Sequence, residues 1–288
     1  MYRIGIIGTE NSHAMAFSEI MNQDESLGAR VVGVMGPGTT AEDVVKATGV
    51  DFIAQDASEF FGKVDAMMIT CRHGSKHADY ARPFIEAGMP LFIDKPITSN
   101  IEECLALLRL AKAKNVPLCG GSGVKYAPDA ALLREKADAL RAEGALISAS
   151  ICYSADTTSE YDGLHFYAPH LAEMALTILG NDLRALSAVA VANSVLVTAR
   201  YDDLPASLHF NRQTPGWFAT LHGRKEHVHQ VIDTSMIYPA EVKQFLGMLN
   251  TGRMPQDYDA MIRPVQLVCA VIESMQDGRT IACDPIVV

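Results

Sequence analysis

The sequence lacks long apolar runs, paired cysteine spacings and clusters of basic residues. No stretch of its 288 residues approaches the roughly 18 uninterrupted apolar positions of a membrane-spanning helix. The net charge of −10, with few lysines or arginines grouped together, argues against binding to a nucleic acid backbone or an anionic membrane. We therefore expect no membrane or nucleic acid partner and a small-molecule substrate instead.

The six cysteines are scattered and form no CxxC pair. This usage is typical of small buried hydrophobes in a reducing compartment rather than of disulfides or a thiolate metal site. The opening segment, MYRIGIIG, enters a strand directly and has neither the basic region nor the cleavage site of a signal peptide. We expect a cytoplasmic protein.

The first half of the chain alternates short apolar runs with segments of helical periodicity. This succession predicts an N-terminal Rossmann domain, a doubly wound parallel sheet, over residues 1–122. The predicted strands are Arg3–Ile7, Arg30–Met35, Ala66–Thr70, Met89–Ile93 and Val116–Gly120. The predicted helices are Ser12–Asn22, one from about Thr40, Ser75–Ala87 and one capped by Asn100.

After Gly120-Gly121-Ser122-Gly123 the pattern changes, because strands with alternating polar and apolar residues follow one another through short turns. We predict an α+β domain with a mostly antiparallel open sheet over residues 123–288. Its predicted strands are Ala145–Tyr153, Ala185–Ala192, Ser194–Tyr201, Ala206–Asn211 and Trp217–Gly223. Its predicted helices are Pro128–Glu143, Pro169–Leu179, Ala240–Asn250 and Ala260–Asp277.

One buried strand ends in Asp94-Lys95-Pro96. Pro96 favours an extended Lys95 and cannot continue the ladder, so the strand should stop there. In open α/β sheets the carboxyl ends of the strands face the ligand crevice. The pattern predicts that the Lys95 amine, with a carboxylate beside it, faces a substrate.

The first strand, turn and helix match a dinucleotide site in architecture, but the glycine signature is incomplete. Read as GxGxxG from Gly8, the loop keeps only its first glycine, and Glu10 adds a negative charge where phosphates would lie. Asn11 and Ser12 are good helix caps, and the free N–H groups of the helix can still bind an anion. The second strand lacks a terminal acid for a ribose hydroxyl. The sequence leaves two interpretations open: a site for NAD or NADP, and a Rossmann sheet that binds no dinucleotide.

With these parts in order, the chain resembles the Gfo/Idh/MocA oxidoreductases nearly from end to end. The motifs that carry the resemblance are, in chain order, Met67–Thr70 with Cys71 and His77, Asp94-Lys95-Pro96, Lys125-Tyr126-Ala127-Pro128, Phe166–His170 with Leu179-Gly180, and Ser274–Gly278. Phe166 stands where the family has an aspartate. The resemblance implies hydride transfer between a nicotinamide and a sugar, polyol or related carbonyl. It also implies a homodimer or homotetramer formed through the C-terminal sheet.

Oxidation of a secondary alcohol needs a hydride acceptor and a base for the hydroxyl proton. Lys95 can polarise the substrate oxygen or move its proton if burial lowers its pKa. His170 follows Pro169 in a first helical turn, which favours a neutral imidazole base. Glu173 lies three residues further on and is expected to orient it.

The predicted residues fall into three sets. The catalytic set is Lys95 and His170. The substrate-binding set is Tyr126, His165, Asp94 and Glu173, and either His165 or Asp162 is expected to occupy the region of the missing aspartate. The cofactor-binding set is Gly8, Thr9, Glu10, Asn11, Ser12, His13, Thr70 and Lys95.

Other interpretations remain open at this point. A binding or regulatory protein without a cofactor fits the altered glycine loop. Metal-assisted chemistry requires His13, His165 and His170 to converge, which their spacing does not enforce. Arg72, His73 and Lys76 follow a strand at the same crevice edge, where they can bind an acidic substrate or only solvate a loop. His227 and His229 are two apart and share a face of a strand, as solvated pairs usually do.

Overall fold

The structure is a computed structural model that describes residues 1–212, 214 and 216–288. Its first sheet has six parallel strands in the order β3-β2-β1-β4-β5-β6. The strands are β1 (Tyr2–Ile7), β2 (Ala29–Met35), β3 (Phe52–Ile53), β4 (Ala66–Ile69), β5 (Leu91–Asp94) and β6 (Leu118–Gly121), and the helices between them are α1 (Ser12–Gln23), α2 (Gly38–Thr48), α3 (His77–Glu86) and α4 (Ile101–Lys114). The predicted doubly wound sheet is confirmed.

The strand order reverses between β1 and β4, and such a switch point opens a crevice at the carboxyl ends of the strands. Ile7 pairs with Met35 on one side and with Ile69 on the other, so the three strands end together. Their apolar side chains are buried on both faces, which explains the uninterrupted runs in the sequence. Of the six strands of this sheet, only β3 escaped prediction, because two residues carry no periodic signal.

The second sheet has seven strands in the order β12-β11-β7-β10-β9-β8-β13, all paired antiparallel except β7 with β10. The strands are β7 (Leu146–Ser154), β8 (Leu183–Val191), β9 (Ser194–Tyr201), β10 (Pro205–Asn211), β11 (Phe218–Gly223), β12 (His227–Val231) and β13 (Ile281–Ala282). The helices of this half are α5 (Pro128–Ala142), α6 (Ala168–Leu179), α7 (Ile237–Thr251) and α8 (Tyr258–Asp277). The predicted mostly antiparallel sheet is confirmed.

One face of this sheet packs on the helices of the second half, and the other carries exposed apolar side chains. Residues of β9 alternate between buried and exposed along the whole strand. Leu196 of β9 and Val191 at the end of β8 are among the exposed apolar residues. The homodimer or homotetramer expected through this sheet stays a prediction.

The two halves of the chain are joined by more than a linker. Val242 and Phe245 of α7 belong to the same buried cluster as Phe17 of α1 and Phe92 of β5. The first turns of α8 pack in the same way with the other face of the first sheet, through Met261 and its neighbours. The division at residues 122 and 123 stays a prediction, and α7 and α8 pack against the two faces of the first sheet.

All six cysteines are free; five are buried and Cys269 is half-buried. They serve as small packing residues, as predicted. Within the described residues, no helix combines the length and apolar character that crossing a membrane requires.

The turn after β1 brings Gly8 against the backbone that follows β4. Gly8 has a φ of +112°, and a Cβ built on it would lie 2.1 Å from the Cys71 nitrogen. Glycine is therefore required twice, for its backbone conformation and for the close approach. This approach brings the ends of β1 and β4 together at the crevice.

We predict that Gly8→Ala lowers the free energy of unfolding by roughly 3 kcal/mol or more, from the strained φ and the overpacking together. Gly88→Ala is the matched control, because Gly88 also has a positive φ, +79°, but nothing lies within 4 Å of its Cβ position. It should cost only about 1 kcal/mol. Urea unfolding of both variants measures the difference, and equal losses would show that the contact with Cys71 is unimportant.

Candidate active site

The loop after β1 is held by hydrogen bonds within the protein. Thr70 is fully buried, and its Oγ1 donates to the carbonyls of Ile7 (3.2 Å) and Gly8 (3.1 Å). The Oγ1 atoms of Thr9 and Thr40 lie 2.7 Å apart, across the gap between the first two strands. Thr70 was predicted to bind the cofactor, and the structure corrects this: its side chain fixes the turn that other groups use.

A cavity of about 270 Å³ opens at the carboxyl ends of β1, β2 and β4. Gly8 and Gly36 line it with bare backbone, and Lys76 and Tyr80 line it from the helix side. A Cβ on Gly36 would lie 2.0 Å from Thr9 Oγ1, so this loop is also closely packed. The position and the backbone lining fit the adenosine half of a dinucleotide.

Glu10 lines the same cavity and distinguishes it from an ordinary glycine-rich loop. Its Oε1 accepts a hydrogen bond from the Arg72 backbone nitrogen (3.1 Å). Its Oε2 is buried and has no partner among the described residues. Asn11 caps α1, and its Oδ1 accepts from the His13 nitrogen (3.4 Å). The loop thus fits a dinucleotide in shape, and the Glu10 carboxylate is held by the main chain of Arg72, which follows β4.

A second cavity, of about 230 Å³, lies between the two halves of the chain, and we call it the cleft. Both predicted catalytic residues, Lys95 and His170, line it. The residues predicted to bind the cofactor lie in two places. Asn11, Ser12 and His13 line the cleft, whereas Gly8 and Glu10 line the first cavity, at the ends of β1, β2 and β4.

Lys95 follows β5, and only 5% of it is exposed. Its Nζ donates to the Phe166 carbonyl (2.9 Å) and lies 4.1 Å from the centre of the Phe166 ring. Burial lowers the pKa of Lys95; the charge of Asp94 opposes this effect and that of Arg72 adds to it. The ammonium keeps two N–H groups for a ligand.

His170 lies in the first turn of α6, where Pro169 favours the start of the helix. Its Nδ1 is 2.6 Å from Ser122 Oγ, and its ring stacks on Tyr153 and Trp217 at centroid distances of 5.2 and 6.0 Å. Burial, and secondarily the charge of Lys95, lower the pKa of His170 well below its usual 6.5. The imidazole is therefore neutral at pH 7.

Glu173 does not orient His170, contrary to expectation. Its Oε1 accepts from Lys125 Nζ (3.2 Å) and from the Ser122 nitrogen (3.4 Å). Burial raises the pKa of Glu173, and Lys125 opposes this. Ser122 takes the orienting position instead, and Glu173 acts on it only through the backbone.

Asp94 lies beneath the cleft and has no exposed surface, which corrects its prediction as a substrate contact. Its Oδ2 accepts from Asn11 Nδ2 (3.0 Å) and lies 3.1 Å from His13 Nδ1. Burial alone would raise the pKa of Asp94, but His13 and Lys95 outweigh this and lower it to about 2. Asp94 thus ties α1 to the end of β5.

Two further predicted substrate contacts lie elsewhere. Tyr126 lines a separate cavity of about 200 Å³ with Lys125, Glu173 and Gln256. His165 is half-buried outside the lining of the cleft, and its Nδ1 has no partner among the described residues. Neither assignment as a substrate contact is supported by this geometry.

At Phe166, where the family has an aspartate, the main-chain carbonyl contacts Lys95 in place of a carboxylate. Asp162 accepts from the Ser75 nitrogen (2.9 Å) and from Ser99 Oγ (3.2 Å), away from the cleft. The Phe166 carbonyl and ring meet the lysine instead. In the described part of the chain, no three histidine, cysteine or acidic residues are grouped to hold a metal. The hypothesis of a three-histidine metal site therefore has no site to support it.

Sequence reasoning missed four contributors to the cleft: Tyr153, Trp217, Tyr238 and Ser122. The first three are aromatic side chains that line it, and Tyr238 lies 4.7 Å from the His13 ring centroid. Only Ser122 carried a signal, its place in the Gly-Gly-Ser-Gly run after β6.

We predict that Asp94→Asn lowers the free energy of unfolding by about 2 kcal/mol at pH 7, because hydrogen bonds to His13 and Asn11 lose their charge. The folded pKa lies below the ordinary 3.8, so this stabilisation is present above pH 3.8 and is lost as the pH falls through 2. The difference from wild type should be roughly halved at pH 3.

Urea unfolding at the two pH values checks this. Asp51→Asn is the control, since its pair with Arg30 is exposed and should be worth less than about 1 kcal/mol. A loss for Asp94→Asn no larger than the control's would show that the network is not stabilising.

Comparison with known proteins agrees with this geometry. Residues 2–121 match the model of a family described as "Oxidoreductase family, NAD-binding Rossmann fold". An inositol 2-dehydrogenase of Rhizobium meliloti (strain 1021) is 30% identical over 140 residues, which are 47% of this chain and 40% of that protein. The match therefore spans well under half the length of this relative.

Solved structures share the fold over nearly the whole chain. The myo-inositol 2-dehydrogenase of Lactobacillus plantarum is similar with a TM-score of 0.85 and 14% identity, covering 98% of this chain and 99% of that one. The scyllo-inositol dehydrogenase of Lactobacillus casei, solved with bound NAD(H) and scyllo-inositol, gives a TM-score of 0.83 and 13% identity over 98% and 99%. Residues 2–121 are thus similar to the NAD-binding Gfo/Idh/MocA oxidoreductases, and the whole chain shares the fold of the solved dehydrogenases.

Proposed function

We propose that this chain is an NAD- or NADP-dependent oxidoreductase that interconverts an alcohol and a carbonyl group of a sugar, a polyol or a related small molecule. One observation carries the proposal: a buried amine and a neutral imidazole line one cleft beside a dinucleotide-shaped cavity. The similar proteins named above as inositol dehydrogenases support the substrate class.

The dinucleotide would be held by the backbone around Gly8 and Gly36 and by the N-terminus of α1. When bound, it supplies the donor or acceptor of the hydride. The cavity has no acid at the end of β2 and thus gives no reason to separate NAD from NADP.

His170 serves as the base through Nε2. This requires Nδ1–H to donate to Ser122 Oγ, whose oxygen is within 2.6 Å. The stacked rings of Tyr153 and Trp217 fix the plane of the imidazole and exclude water from one side. The lowered pKa of His170 keeps Nε2 free to accept the proton of a substrate hydroxyl.

Lys95 binds the substrate oxygen and stabilises negative charge that develops on it. Its contact with the Phe166 carbonyl holds the amine in place while two N–H groups remain. Burial lowers its pKa, which also lets it pass a proton on more readily than an exposed lysine.

A second candidate is a binding or regulatory protein that uses the cleft without a dinucleotide. The Glu10 carboxylate in the loop favours it, because a fixed negative charge opposes a pyrophosphate. The next prediction separates the two.

We predict that NADH or NADPH quenches the fluorescence of Trp217, the single tryptophan, which lines the cleft. Titration of each cofactor should give a saturable quench, and the tighter of the two identifies the preferred dinucleotide. AMP is the control, since it can fill the adenosine cavity without reaching the cleft. Absence of any response at millimolar cofactor, by fluorescence and thermal shift, would favour the second candidate.

We predict that Lys95→Met and His170→Ala each lower kcat by roughly 10²- to 10⁴-fold, the usual range for loss of a proton-transfer group. Turnover of NAD or NADP with a panel of inositols, aldoses and polyols measures this. Lys225→Met and His227→Ala are matched controls at exposed positions of the second half. Full activity in either cleft variant would remove that residue from the mechanism.

A further inference from the structure

The cleft is rich in positive charge although the chain as a whole carries −10. Arg72 and Lys95 line it together with two histidines, and no aspartate or glutamate is among its described lining residues. Asp94 lies beneath the cleft and is occupied by His13 and Asn11. A cleft of this composition suits an anionic ligand better than a neutral one.

Arg72 presents one open edge. Its Nη1 donates to the Tyr161 hydroxyl (3.1 Å), and its Cζ lies 5.0 Å from the centre of that ring. Its Nε is buried and has no partner, and among the described residues no hydrogen bond leaves Nη2. The Nε–Nη2 edge of a guanidinium matches the two oxygens of a carboxylate.

The backbone of Arg72 is also fixed, because its nitrogen donates to Glu10 Oε1. Arg72 is thus held at both ends: Glu10 binds its main-chain nitrogen, and Tyr161 binds Nη1 of its guanidinium. Holding an arginine in place with its fork open reduces the entropy that a ligand must overcome on binding. The charges of Arg72 and Lys95 also repel each other, which an anion between them would relieve.

We propose that the substrate carries a carboxylate, which Arg72 binds through Nε and Nη2. Lys95 and His170 then act on the oxygen and the proton of its hydroxyl group, and the hydride of the same carbon passes to the nicotinamide. The oxidation of this substrate rests on the proposed function, whereas the binding of its carboxylate by Arg72 does not. The cleft volume of about 230 Å³ lies below the roughly 300 Å³ at which most ligand sites begin. A single sugar acid or hydroxy acid therefore suits it better than an oligosaccharide.

The pyrophosphate of the cofactor is the other anion that Arg72 could meet. The cavity lined by Gly8 and Gly36 does not include Arg72, whereas the cleft lined by Lys95 and His170 does. The N-terminus of α1 also lines the cleft, so what favours the substrate is that Arg72 shares the cleft with Lys95 and His170. The experiment below separates the two.

The test compares acids with neutral counterparts of the same carbon skeleton. Glucuronate is paired with glucose and gluconate with sorbitol, and binding is measured by Trp217 fluorescence and by calorimetry, with and without NADH. We expect at least one acid to bind the wild type 10-fold or more tightly than its neutral counterpart. Arg72→Gln should weaken the binding of that acid by roughly 10- to 100-fold, because hydrogen bonds to a charged group are lost. It should leave the affinities for the neutral partner and for NADH unchanged.

Arg72→Lys keeps the charge without the fork and should fall between wild type and Arg72→Gln. Arg253→Gln, at an exposed position, is the matched control and should change nothing. Far-ultraviolet circular dichroism and the melting temperature of each variant show that it is folded; should Arg72→Gln not fold, the comparison rests on Arg72→Lys.

Two outcomes overturn the inference directly: acids that bind no tighter than their neutral partners, and an Arg72→Gln variant that binds the acid with normal affinity. A variant that loses affinity for NADH instead would also overturn it, and would assign Arg72 to the pyrophosphate. Tight binding of an acid without any turnover would leave the inference standing and refute the proposed oxidoreductase. Turnover of neutral polyols with no preference for acids would do the reverse.

Discussion

The structure depends on how two neighbouring residues at the end of β5 divide their charges. Asp94 is directed beneath the crevice, where His13 and Asn11 bind it, and Lys95 is directed into the cleft. Consecutive side chains leave an extended strand on opposite sides, so this separation follows from the backbone itself. The carboxylate is close enough to stabilise the ammonium, while its Oδ2 is bound by His13 and Asn11. The amine thus stays buried and available, which an unpaired buried lysine does not do without loss of charge.

The second half of the chain completes what β5 begins. The Lys95 amine reaches the Phe166 carbonyl, 71 residues further on, just before α6 begins. The same helix carries His170, whose imidazole is held by Ser122 from the end of the first sheet. Each half therefore provides one of the two cleft residues and one anchor for the other half's residue. The packing of α7 and α8 onto the first sheet joins the two halves on which this arrangement depends.

The sequence was sufficient for the main strands of both sheets and for placing Lys95 and His170 in one cleft, because their signals are local. Buried runs, a proline after Lys95 and a proline before His170 fix where each side chain lies relative to its own element. The sequence was insufficient to predict which side chains bind each other across the fold. Spacing within a helix places Glu173 near His170 but cannot show that Lys125 binds it instead, 48 residues away in the chain. The places of Thr70 and Tyr126 could not be predicted for the same reason, since the side on which a side chain leaves a loop is decided by tertiary packing.

The altered glycine loop and the cationic cleft are parts of one arrangement. In a plain Gly-rich loop the backbone is free to approach phosphate, and Glu10 appears as a defect in that function. Here its Oε1 binds the main chain of Arg72, which follows the neighbouring strand β4. The carboxylate that interrupts the dinucleotide signature thereby fixes the residue that gives the cleft its open cationic edge. A glycine at position 10 would remove the hydrogen bond that fixes the Arg72 main chain, so one carboxylate shapes both the loop after β1 and the cationic edge of the cleft.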